Sequence, residues 1–368
     1  MRKGWEYKRW KEVLTIINGK NQSAVVDENG EYPIYGSGGI MGYANNWLCP
    51  ENCVIIGRKG NINKPIFVET KFWNVDTAFG LNANKEYLLP KFLYYFCLDY
   101  NFERHNKAVT IPSLTKADLL KIDIPLPPKS TQLAIVSELD KINELIRLKK
   151  EQLKDFDNLA QSLFYEMFGD PVENEKGWEV KKIGDLALVK TGPFGSMLHK
   201  EDYICDGIPL VNPVHMKDFK IVPDLDFTIS KEKASELENY LLKSNDVVFA
   251  RRGDIGRCAI VSEAEQGFIC GTGSLFVRFS KEIESIFIMY IIRCDSFSKH
   301  LISKAKGATM LNINSNTIAD LRIPLPPLSL QRLFAQRIEQ IEREKSEVQK
   351  SIQDLETLLA SRMQYWFE

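Results

Sequence analysis

Histidine is scarce in this chain of 368 residues, which has four histidines, and its seven cysteines are an odd number. The cysteines are scattered and lie mostly inside apolar runs, which is typical of reduced thiols packed in protein cores. Cys49 and Cys53 flank a turn, but no second pair of ligands follows at the spacing of a zinc site. We therefore expect no metal site on this chain.

Long apolar runs are also missing. No stretch approaches the length needed to span a bilayer, and the basic residues Arg2 and Lys3 are not followed by the apolar region of a secretory signal. Hydrophobic residues make up 44% of the chain and charged residues 26%, which is the profile of a globular protein. The sequence predicts a cytoplasmic protein of two or more ordinary domains, with no membrane contact.

Catalytic motifs are absent as well. The Pro-Pro pairs follow leucine rather than Asn or Asp, so no motif for amino methylation is present, and no strand-linked G-x-G-x-x-G supplies a pocket for a methyl donor. No G-x-x-x-x-G-K-[ST] phosphate loop occurs. Residues 179–181, Glu-Val-Lys, resemble the end of a nuclease motif, but the similar triplet at residues 6–8 favours a structural strand. The chain is therefore predicted not to be an enzyme.

Positive charge is not in excess, because the net charge is −1. This balance argues mildly against nucleic acid as a partner, since DNA-binding proteins usually carry excess positive charge. Residues 1–128 carry +3, whereas residues 129–170, 171–327 and 328–368 are each slightly acidic. If DNA is the ligand, its contacts must come from local charge patterning.

An internal repeat determines the predicted architecture. Residues 124–128, Ile-Pro-Leu-Pro-Pro, recur at residues 323–327, and the same offset of 199 residues carries Gln132 onto Gln331. The opening Gly-Trp-Glu at residues 4–6 recurs at residues 177–179. The chain therefore consists of a globular part, a helix, a second globular part and a second helix.

Each predicted helix has an apolar seam with the three- and four-residue spacing of a coiled coil. Proline pairs precede both helices, and Gly169 followed by Asp170 and Pro171 ends the first. Lys149 and Lys345 occupy one seam position each. The seam residues are Leu139, Ile142, Ile146, Leu153, Phe156 and Leu163 in the first helix, and Ile338, Ile341, Val348, Ile352, Leu355 and Leu359 in the second.

The two seams are in register under the repeat offset. A helix of roughly 36 residues is about 54 Å long, and two such helices on one chain should pair with each other. An antiparallel pair would relate the two globular parts by a pseudo-twofold axis. The alternative is that each seam packs only against its own globular part.

The globular parts are predicted to be mixed α/β (α+β) with short strands. In each, an apolar strand leads into a basic, glycine-containing turn and then a second strand, at residues 53–68 and 246–261. Arginine can bind guanine or phosphate through two hydrogen bonds, and glycine allows the backbone to approach a phosphate. Two such hairpin tips in equivalent places favour DNA contact. The alternative is that the tips are simply solvated.

Other loops add weaker candidates. The glycine-rich turn at residues 35–39 lacks the spacing of a dinucleotide site. The candidate DNA-contacting residues are Ser37, Arg58, Lys59, Asn61, Lys64, Lys107 and Thr110 in the first part, and Ser196, Lys200, His215, Lys217, Arg251, Arg252, Asp254, Arg257, Lys304, Lys306 and Thr309 in the second.

Taken together, these motifs resemble the specificity subunit of type I restriction-modification systems along the full chain. The resemblance is carried by the duplicated Ile-Pro-Leu-Pro-Pro with its glutamine, the Gly-Trp-Glu openings, and residues 162–171, Ser-Leu-Phe-Tyr-Glu-Met-Phe-Gly-Asp-Pro. It is also carried by residues 32–39, Tyr-Pro-Ile-Tyr-Gly-Ser-Gly-Gly, with residues 56–60, and by residues 251–256, Arg-Arg-Gly-Asp-Ile-Gly.

The resemblance implies two target-recognition domains, residues 1–128 and 171–327, separated by two antiparallel coiled-coil helices, residues 129–170 and 328–368. Each domain would read one half of a split double-stranded DNA site, and the helices would set the gap between the halves. It further implies two methyltransferase subunits that modify adenine with S-adenosylmethionine, and restriction subunits that use ATP and Mg²⁺. No cofactor is expected on this chain itself.

Two other functions are weighed against this one. A self-contained DNA-modifying enzyme would bind S-adenosylmethionine tightly as an isolated chain. A coiled-coil scaffold for other proteins would select no DNA sequence even in complex with a methyltransferase.

Overall fold

The structure of the chain is a computed structural model that describes residues 4–106, 111–194, 197–305 and 312–367. It divides into two compact units. Unit 1 comprises Met1–Glu151 with Val348–Glu368, and unit 2 comprises Gln152–Glu347. Two 40-residue helices, α4 (Lys129–Phe168) and α10 (Leu328–Phe367), contribute to both units, so the compact units include parts of the helices rather than excluding them.

Unit 1 is a mixed α/β unit. Its remaining helices are α1 (Trp10–Val13), α2 (Pro90–Asp99) and α3 (Lys116–Leu119), and its strands are β1 (Glu6–Arg9), β2 (Leu14–Asn18), β3 (Tyr32–Gly36), β4 (Gly39–Ala44), β5 (Cys53–Gly57), β6 (Ile66–Val68), β7 (Trp73–Asn74), β8 (Ala78–Ala83) and β9 (Asp123–Leu126). The main sheet is antiparallel in the order β2-β8-β5-β6. A smaller sheet has the order β4-β3-β7, with β3 and β7 parallel.

Unit 2 repeats this plan with additional short strands. Its remaining helices are α5 (Ile183–Leu186), α6 (Lys231–Glu236), α7 (Ser285–Arg293), α8 (Asp295–Lys304) and α9 (Ser315–Ala319), and its strands are β10 (Glu179–Lys182), β11 (Ala187–Thr191), β12 (Tyr203–Ile204), β13 (Ile208–Val211), β14 (Met216–Lys217), β15 (Lys220–Ile221), β16 (Thr228–Ile229), β17 (Val247–Ala250), β18 (Cys258–Ile260), β19 (Ile269–Cys270), β20 (Ser274–Phe279) and β21 (Arg322–Leu325). The main sheet order, β11-β20-β17-β18, matches that of unit 1.

The repeated sequence motifs pair with each other inside each unit. In unit 1 the Gly-Trp-Glu opening continues into β1, which is antiparallel to β9, and Glu6 lies opposite Leu126. In unit 2 the corresponding strands β10 and β21 pair with Glu179 opposite Leu325. The two ends of each globular part are thus joined by the same two-stranded ribbon, in the same register.

A buried glutamine fixes the start of each long helix. Gln132 is fully buried, and its Oε1 accepts a hydrogen bond from the backbone N–H of Leu89, at the N-terminus of α2, at 2.9 Å. Its Nε2 donates to the carbonyl oxygens of Tyr87 and Pro127. Gln331 makes the matching contacts with Glu284 and Pro326 in unit 2. The repeated glutamine therefore satisfies buried backbone groups that would otherwise be unpaired.

The long helices pair antiparallel within each unit. In unit 1 the α4 residue Glu138 contacts Arg362, whereas Lys150, further along α4, contacts Glu356, which comes earlier in α10. In unit 2 Asp157 pairs with Lys345 at 2.8 Å, and the Phe164 and Phe334 rings lie 5.6 Å apart. The direction of pairing is the one that the resemblance to the specificity subunits implies.

The seam residues are all buried or half-buried. Buried are Leu139, Ile142, Ile146, Ile338, Ile341, Val348 and Ile352, and half-buried are Leu153, Phe156, Leu163, Leu355 and Leu359. Leu139 also belongs to the core of unit 1, and Ile338 and Ile341 to the core of unit 2. Some seam residues therefore pack against the globular core of their own unit, and others lie between the two helices.

Lys345 interrupts the seam of α10 without leaving an unpaired charge. Its ammonium group lies 2.8 Å from the Asp157 carboxylate and 3.1 Å from Glu342. Burial alone would lower the pKa of Lys345, but the ion pairs with Asp157 and Glu342 outweigh it and raise the pKa. A cation in the apolar seam is tolerated here because acidic partners surround it.

Candidate nucleic-acid interface

The basic tip of unit 1, residues 58–65, connects β5 to β6. Its start is held by backbone hydrogen bonds: the Arg58 N–H donates to the Thr77 carbonyl at 2.8 Å, and the Arg58 carbonyl accepts from Leu114 at 2.9 Å. Lys59 forms a bridge with Ser113 and is exposed. The segment before α3 therefore packs against the tip and is hydrogen-bonded to its base.

The basic tip of unit 2, residues 251–257, connects β17 to β18 and is held in the same way. Arg251 donates its backbone N–H to Gly273 at 3.0 Å and accepts from Ile313 at 2.9 Å. Arg252 forms a bridge with Asn312, as Lys59 does with Ser113. The backbone partners in the two units thus follow the same pattern.

Glycine and isoleucine shape both tips alike. Gly60 and Gly253 have φ angles of +81° and +76°, in the left-handed region that favours glycine. Ile62 and Ile255, two residues further, are buried in the cores of their units. The tip position between this glycine and this isoleucine, which we call the crown, is occupied by Asn61 in unit 1 and by Asp254 in unit 2, and both are exposed.

Ser37 lies beside the unit 1 tip. It is in the turn between β3 and β4, and its Oγ is 3.8 Å from the position that a Cβ on Gly60 would occupy. A Cβ placed on Gly38 of the same turn would lie 3.8 Å from the Asn61 amide nitrogen. The structure therefore brings together Ser37, Arg58, Lys59 and Asn61, which are scattered over 25 positions of the chain.

Arg251, at the base of the unit 2 tip, has one buried guanidinium nitrogen without a hydrogen-bond partner in the part of the chain that the structure describes. Burial, together with the neighbouring Arg252, lowers the pKa of the Arg251 guanidinium. Its Nε is buried and has no hydrogen-bond partner among the described residues. A phosphate oxygen would supply both an acceptor and an opposing charge, so this position is suited to an anionic ligand.

Asp254 and Arg257 form an ion pair at the tip of unit 2. Asp254 Oδ2 accepts from both Nε and Nη2 of Arg257, at 2.9 and 2.7 Å. A third nitrogen of Arg257, Nη1, donates to the Pro213 carbonyl at 3.2 Å. The Arg257 guanidinium is therefore largely used within the protein, and its main effect is to orient Asp254.

Lys217 and His215 lie near this tip but differ in exposure. Lys217 is exposed on β14 and lines a cleft of about 650 Å³ together with Asp254 and Arg257. His215 is buried, and its ring Nδ1 lies 2.7 Å from the Leu210 carbonyl. Because its ring is enclosed and hydrogen-bonded within the unit, we do not include His215 in the candidate surface.

The remaining candidates are more dispersed. Lys64 is exposed at the end of the unit 1 tip. Lys304 is exposed at the end of α8 and lines a second cleft, with His300 and Asn314, while Lys200 is exposed in a 3-10 turn that precedes β12. Five candidates lie outside the described residues, namely Lys107, Thr110, Ser196, Lys306 and Thr309.

Two exposed apolar side chains beside the tips are absent from the sequence-based set. Ile111 precedes Pro112, whose carbonyl accepts from the N–H of Gly60, and it is 60% exposed. Val214 follows Pro213, whose carbonyl accepts from Arg257, and it is 65% exposed. Apolar groups next to basic ones can contact the methyl group of thymine. An isolated apolar residue adjoining a turn proline is the sequence signal for both.

Among the described residues, no group of three or more His, Cys, Asp or Glu side chains is placed to hold a metal ion. Within the same ranges, no helix combines the length and apolar character needed to cross a membrane.

Burial raises the pKa of six cysteine thiols, of which Cys258 reaches about 12 and Cys294 about 11, so these groups remain protonated at neutral pH.

Two α/β units with the same strand order in their main sheets, each with a basic hairpin tip and a share of two long helices, define a duplicated two-unit protein. The family model described as type I restriction modification DNA specificity domain matches residues 2–155 and again residues 175–357. The chain belongs to this family. The resemblance inferred from the sequence motifs is confirmed.

Individual relatives agree in length and fold. The MjaVIII specificity subunit of a type I restriction enzyme, from Methanocaldococcus jannaschii, is 23% identical over 393 residues, covering 96% of this chain and 92% of that protein. The crystal structure of a type I S subunit from M. genitalium matches with a TM-score of 0.60 at 15% identity, covering 99% and 96% of the two chains. A chain from a study of complex assembly in a type I system matches with a TM-score of 0.65 at 17% identity, covering 99% and 97%. The predicted fold class is thereby confirmed.

Proposed function

We propose that this chain is the non-catalytic DNA-reading subunit of a type I restriction-modification complex, and that each unit reads one half of a bipartite double-stranded target. The observation that carries the proposal is the pair of equivalent tips, which combine exposed cations, a left-handed glycine and a buried isoleucine in both units. Rigid placement of a few side chains that can bond to base edges is what direct readout requires.

The charge of the tips supports this assignment. Unit 1 presents Arg58, Lys59 and Lys64 with no acidic residue at positions 58–65, and unit 2 presents Arg251 and Arg252 next to the Asp254–Arg257 pair. Because the whole chain has a net charge of −1, these tips concentrate positive charge locally. Much of the phosphate binding would then come from partner subunits.

The partners follow from the same proposal. Two methyltransferase subunits would bind S-adenosylmethionine and methylate an adenine in each half-site, and restriction subunits would use ATP and Mg²⁺. Residues 1–128 and 171–327 would act as the target-recognition domains, and residues 129–170 and 328–368 as the spacer helices. The complex would act in the cytoplasm. A methylated base must leave the DNA stack, so this chain would hold the register while a partner flips the base.

The experiment is to co-express the chain with the methyltransferase encoded beside it and to map methylated adenines by single-molecule sequencing. A split motif with a fixed unspecified gap is expected. The variants Lys59→Ala and Arg252→Ala, which change equivalent exposed positions, should each weaken methylation through one half-site only and serve as controls for each other. A continuous motif, or equal damage to both half-sites by one variant, would contradict the two-reader assignment. If no sequence is selected, the chain is a protein scaffold, and tight binding of S-adenosylmethionine by the isolated chain would indicate an enzyme.

A further inference from the structure

The crown residues Asn61 and Asp254 occupy the same place in two tips of the same backbone form. Each follows a glycine with positive φ, and the Ile62 N–H donates to Gly60 at 2.9 Å as the Ile255 N–H does to Gly253 at 3.0 Å. The buried isoleucine that comes next prevents the crown from turning inward. The two units therefore present different chemistry, an amide and a carboxylate, at one equivalent exposed position.

A carboxylate is an unexpected group on a DNA-binding tip. It is repelled by phosphate, so it is favourable only where it meets a hydrogen-bond donor. In the major groove, guanine and thymine present acceptors, adenine presents an amino group beside the N7 acceptor, and cytosine presents the N4 amino group. A carboxylate thus favours cytosine, whereas an asparagine amide can bond to both N6 and N7 of adenine.

The geometry of Asp254 is suited to this role. Its side chain is 62% exposed, and Arg257 binds Oδ2 through two nitrogens. Oδ1 has no hydrogen-bond partner among the described residues. Arg257 is itself anchored by the Pro213 carbonyl, so it acts as a positioning residue that holds one carboxylate oxygen and leaves the other available.

We infer that the crown residue is a specificity determinant in each unit, with Asp254 selecting a cytosine in the half-site read by unit 2 and Asn61 selecting an adenine in the half-site read by unit 1. This inference rests on the proposed function, because it assigns bases to readers that the function supplies. At one position of each half-site, the base that is read would then depend on whether the crown residue carries a carboxylate, as in Asp254, or an amide, as in Asn61.

The test uses the full chain in complex with its methyltransferase and compares the methylation motifs of wild type, Asp254→Asn and Asn61→Asp. Because Arg257 would still hold the amide oxygen, Asp254→Asn presents an amino group to the base and should shift one position of one half-site from cytosine to guanine or thymine, which present acceptors, by about tenfold in relative methylation. Asn61→Asp should shift one position of the other half-site from adenine to cytosine. In each case the opposite half-site should be unchanged.

Controls separate base reading from charge and from folding. Glu282→Gln removes one exposed negative charge from unit 2 away from the tip and should leave the motif unchanged. Asp254→Ala, which keeps neither hydrogen-bonding group, should relax the same position to accept several bases. The thermal midpoints of the variants show whether each is folded.

The outcomes distinguish the inference from the function on which it rests. If wild type yields a bipartite motif and folded Asp254→Asn and Asn61→Asp keep every base preference, or lose methylation uniformly at all sites, the crown is not a specificity determinant and the inference fails while the function stands. If wild type yields no bipartite motif, the proposed function fails, and the inference fails with it.

Discussion

Glu138 on α4 and Arg362 on α10 form an ion pair although they are 224 positions apart in the chain. Both guanidinium nitrogens that face the carboxylate donate to it, with Nη2 at 3.1 Å from Oε2, and the Trp366 indole N–H donates to the same oxygen at 3.1 Å. The Trp366 ring in turn stacks on Trp5, with ring centroids 6.4 Å apart. This contact joins the start of one long helix to the end of the other within unit 1.

The Glu138 pair should make the stability of unit 1 depend on pH. The hydrogen bond from Arg362, which outweighs the opposing effect of burial, and that from Trp366 hold the pKa of Glu138 below its ordinary value of 4.5. The stabilisation is therefore complete above about pH 4.5 and is lost as the pH falls through the lowered pKa. Glu138→Gln should reduce the free energy of unfolding at pH 7 by about 1 kcal/mol, and this difference from wild type should shrink as the pH falls below 4.5 and through the lowered pKa.

Urea unfolding at several pH values, followed by circular dichroism, measures this effect. Glu356→Gln is the matched control, because the Lys150–Glu356 pair joins the same helices but is about half exposed on both sides. Its effect should be smaller than that of Glu138→Gln. A Glu138→Gln variant as stable as wild type at pH 7, or one whose destabilisation does not shrink as the pH is lowered below 4.5, would contradict the assignment.

The buried glutamines should be more important for stability than their polar character suggests. Gln132→Leu fills a similar volume but leaves one N–H and two carbonyl groups without their partner. We expect a loss of about 3 kcal/mol in the free energy of unfolding, and a smaller loss, about 2 kcal/mol, for Gln331→Leu, which breaks two hydrogen bonds.

Denaturant titration measures both glutamine variants, and hydrogen exchange at the Leu89 amide reports the local opening directly. Gln353→Leu, at an exposed position of α10, is the control and should change stability little. Equal stability of wild type and Gln132→Leu would show that the backbone groups find other partners.

Gly253 should be required for the form of the unit 2 tip. A Cβ added there meets no atom within 4 Å, so the penalty of Gly253→Ala comes only from the φ of +76° and is about 1–2 kcal/mol. The tip backbone should change its conformation to relieve this strain. Because the tip residues would then be displaced, recognition of one half-site should weaken. Gly60→Ala, with a φ of +81°, should do the same for the other half-site. Methylation mapping and thermal melting check both, and a variant that alters both half-sites equally would refute the prediction.

The length of the helices should set the gap between the half-sites. The helix α4 runs without interruption from Lys129 to Phe168, and removal of seven residues shortens a helix by about 10 Å. Deleting one heptad from both α4 and α10 should therefore change the unspecified gap by about three base pairs, since DNA rises 3.4 Å per base pair. The half-site sequences serve as the internal control and should stay the same. An unchanged gap would exclude the helices as the spacer.

Much of the fold could be predicted because its signals are local. Proline pairs before α4 and α10, apolar residues at helical spacing, and Gly169 with a φ of +78° at the helix end depend on residues within a few turns of each other. The two basic hairpins, β5–β6 and β17–β18, were also predictable, because in each an apolar strand, a basic glycine-containing turn and a second strand follow one another directly in the sequence. The parallel pairing of β3 with β7 was not, because its partners are about 40 residues apart and no local pattern marks them.

The candidate site was only partly predictable for a related reason. A loop residue has the same appearance in sequence whether it faces solvent or the core. His215 lies in a polar loop but is enclosed, and its ring bonds to Leu210. Arg257 resembles a free basic residue but is held by Asp254 and Pro213.

The sequence by itself determined the duplication, the two long helices and the two basic tips, because periodicity, proline and glycine act over short distances. Only the tertiary structure decided that Ser37 lies beside Gly60, that Ser113 and Asn312 close the tips, and that Asn61 and Asp254 are equivalent crowns. These relations depend on hydrogen bonds and burial between segments far apart in the chain, and such contacts exist only once the sheets and helices have packed.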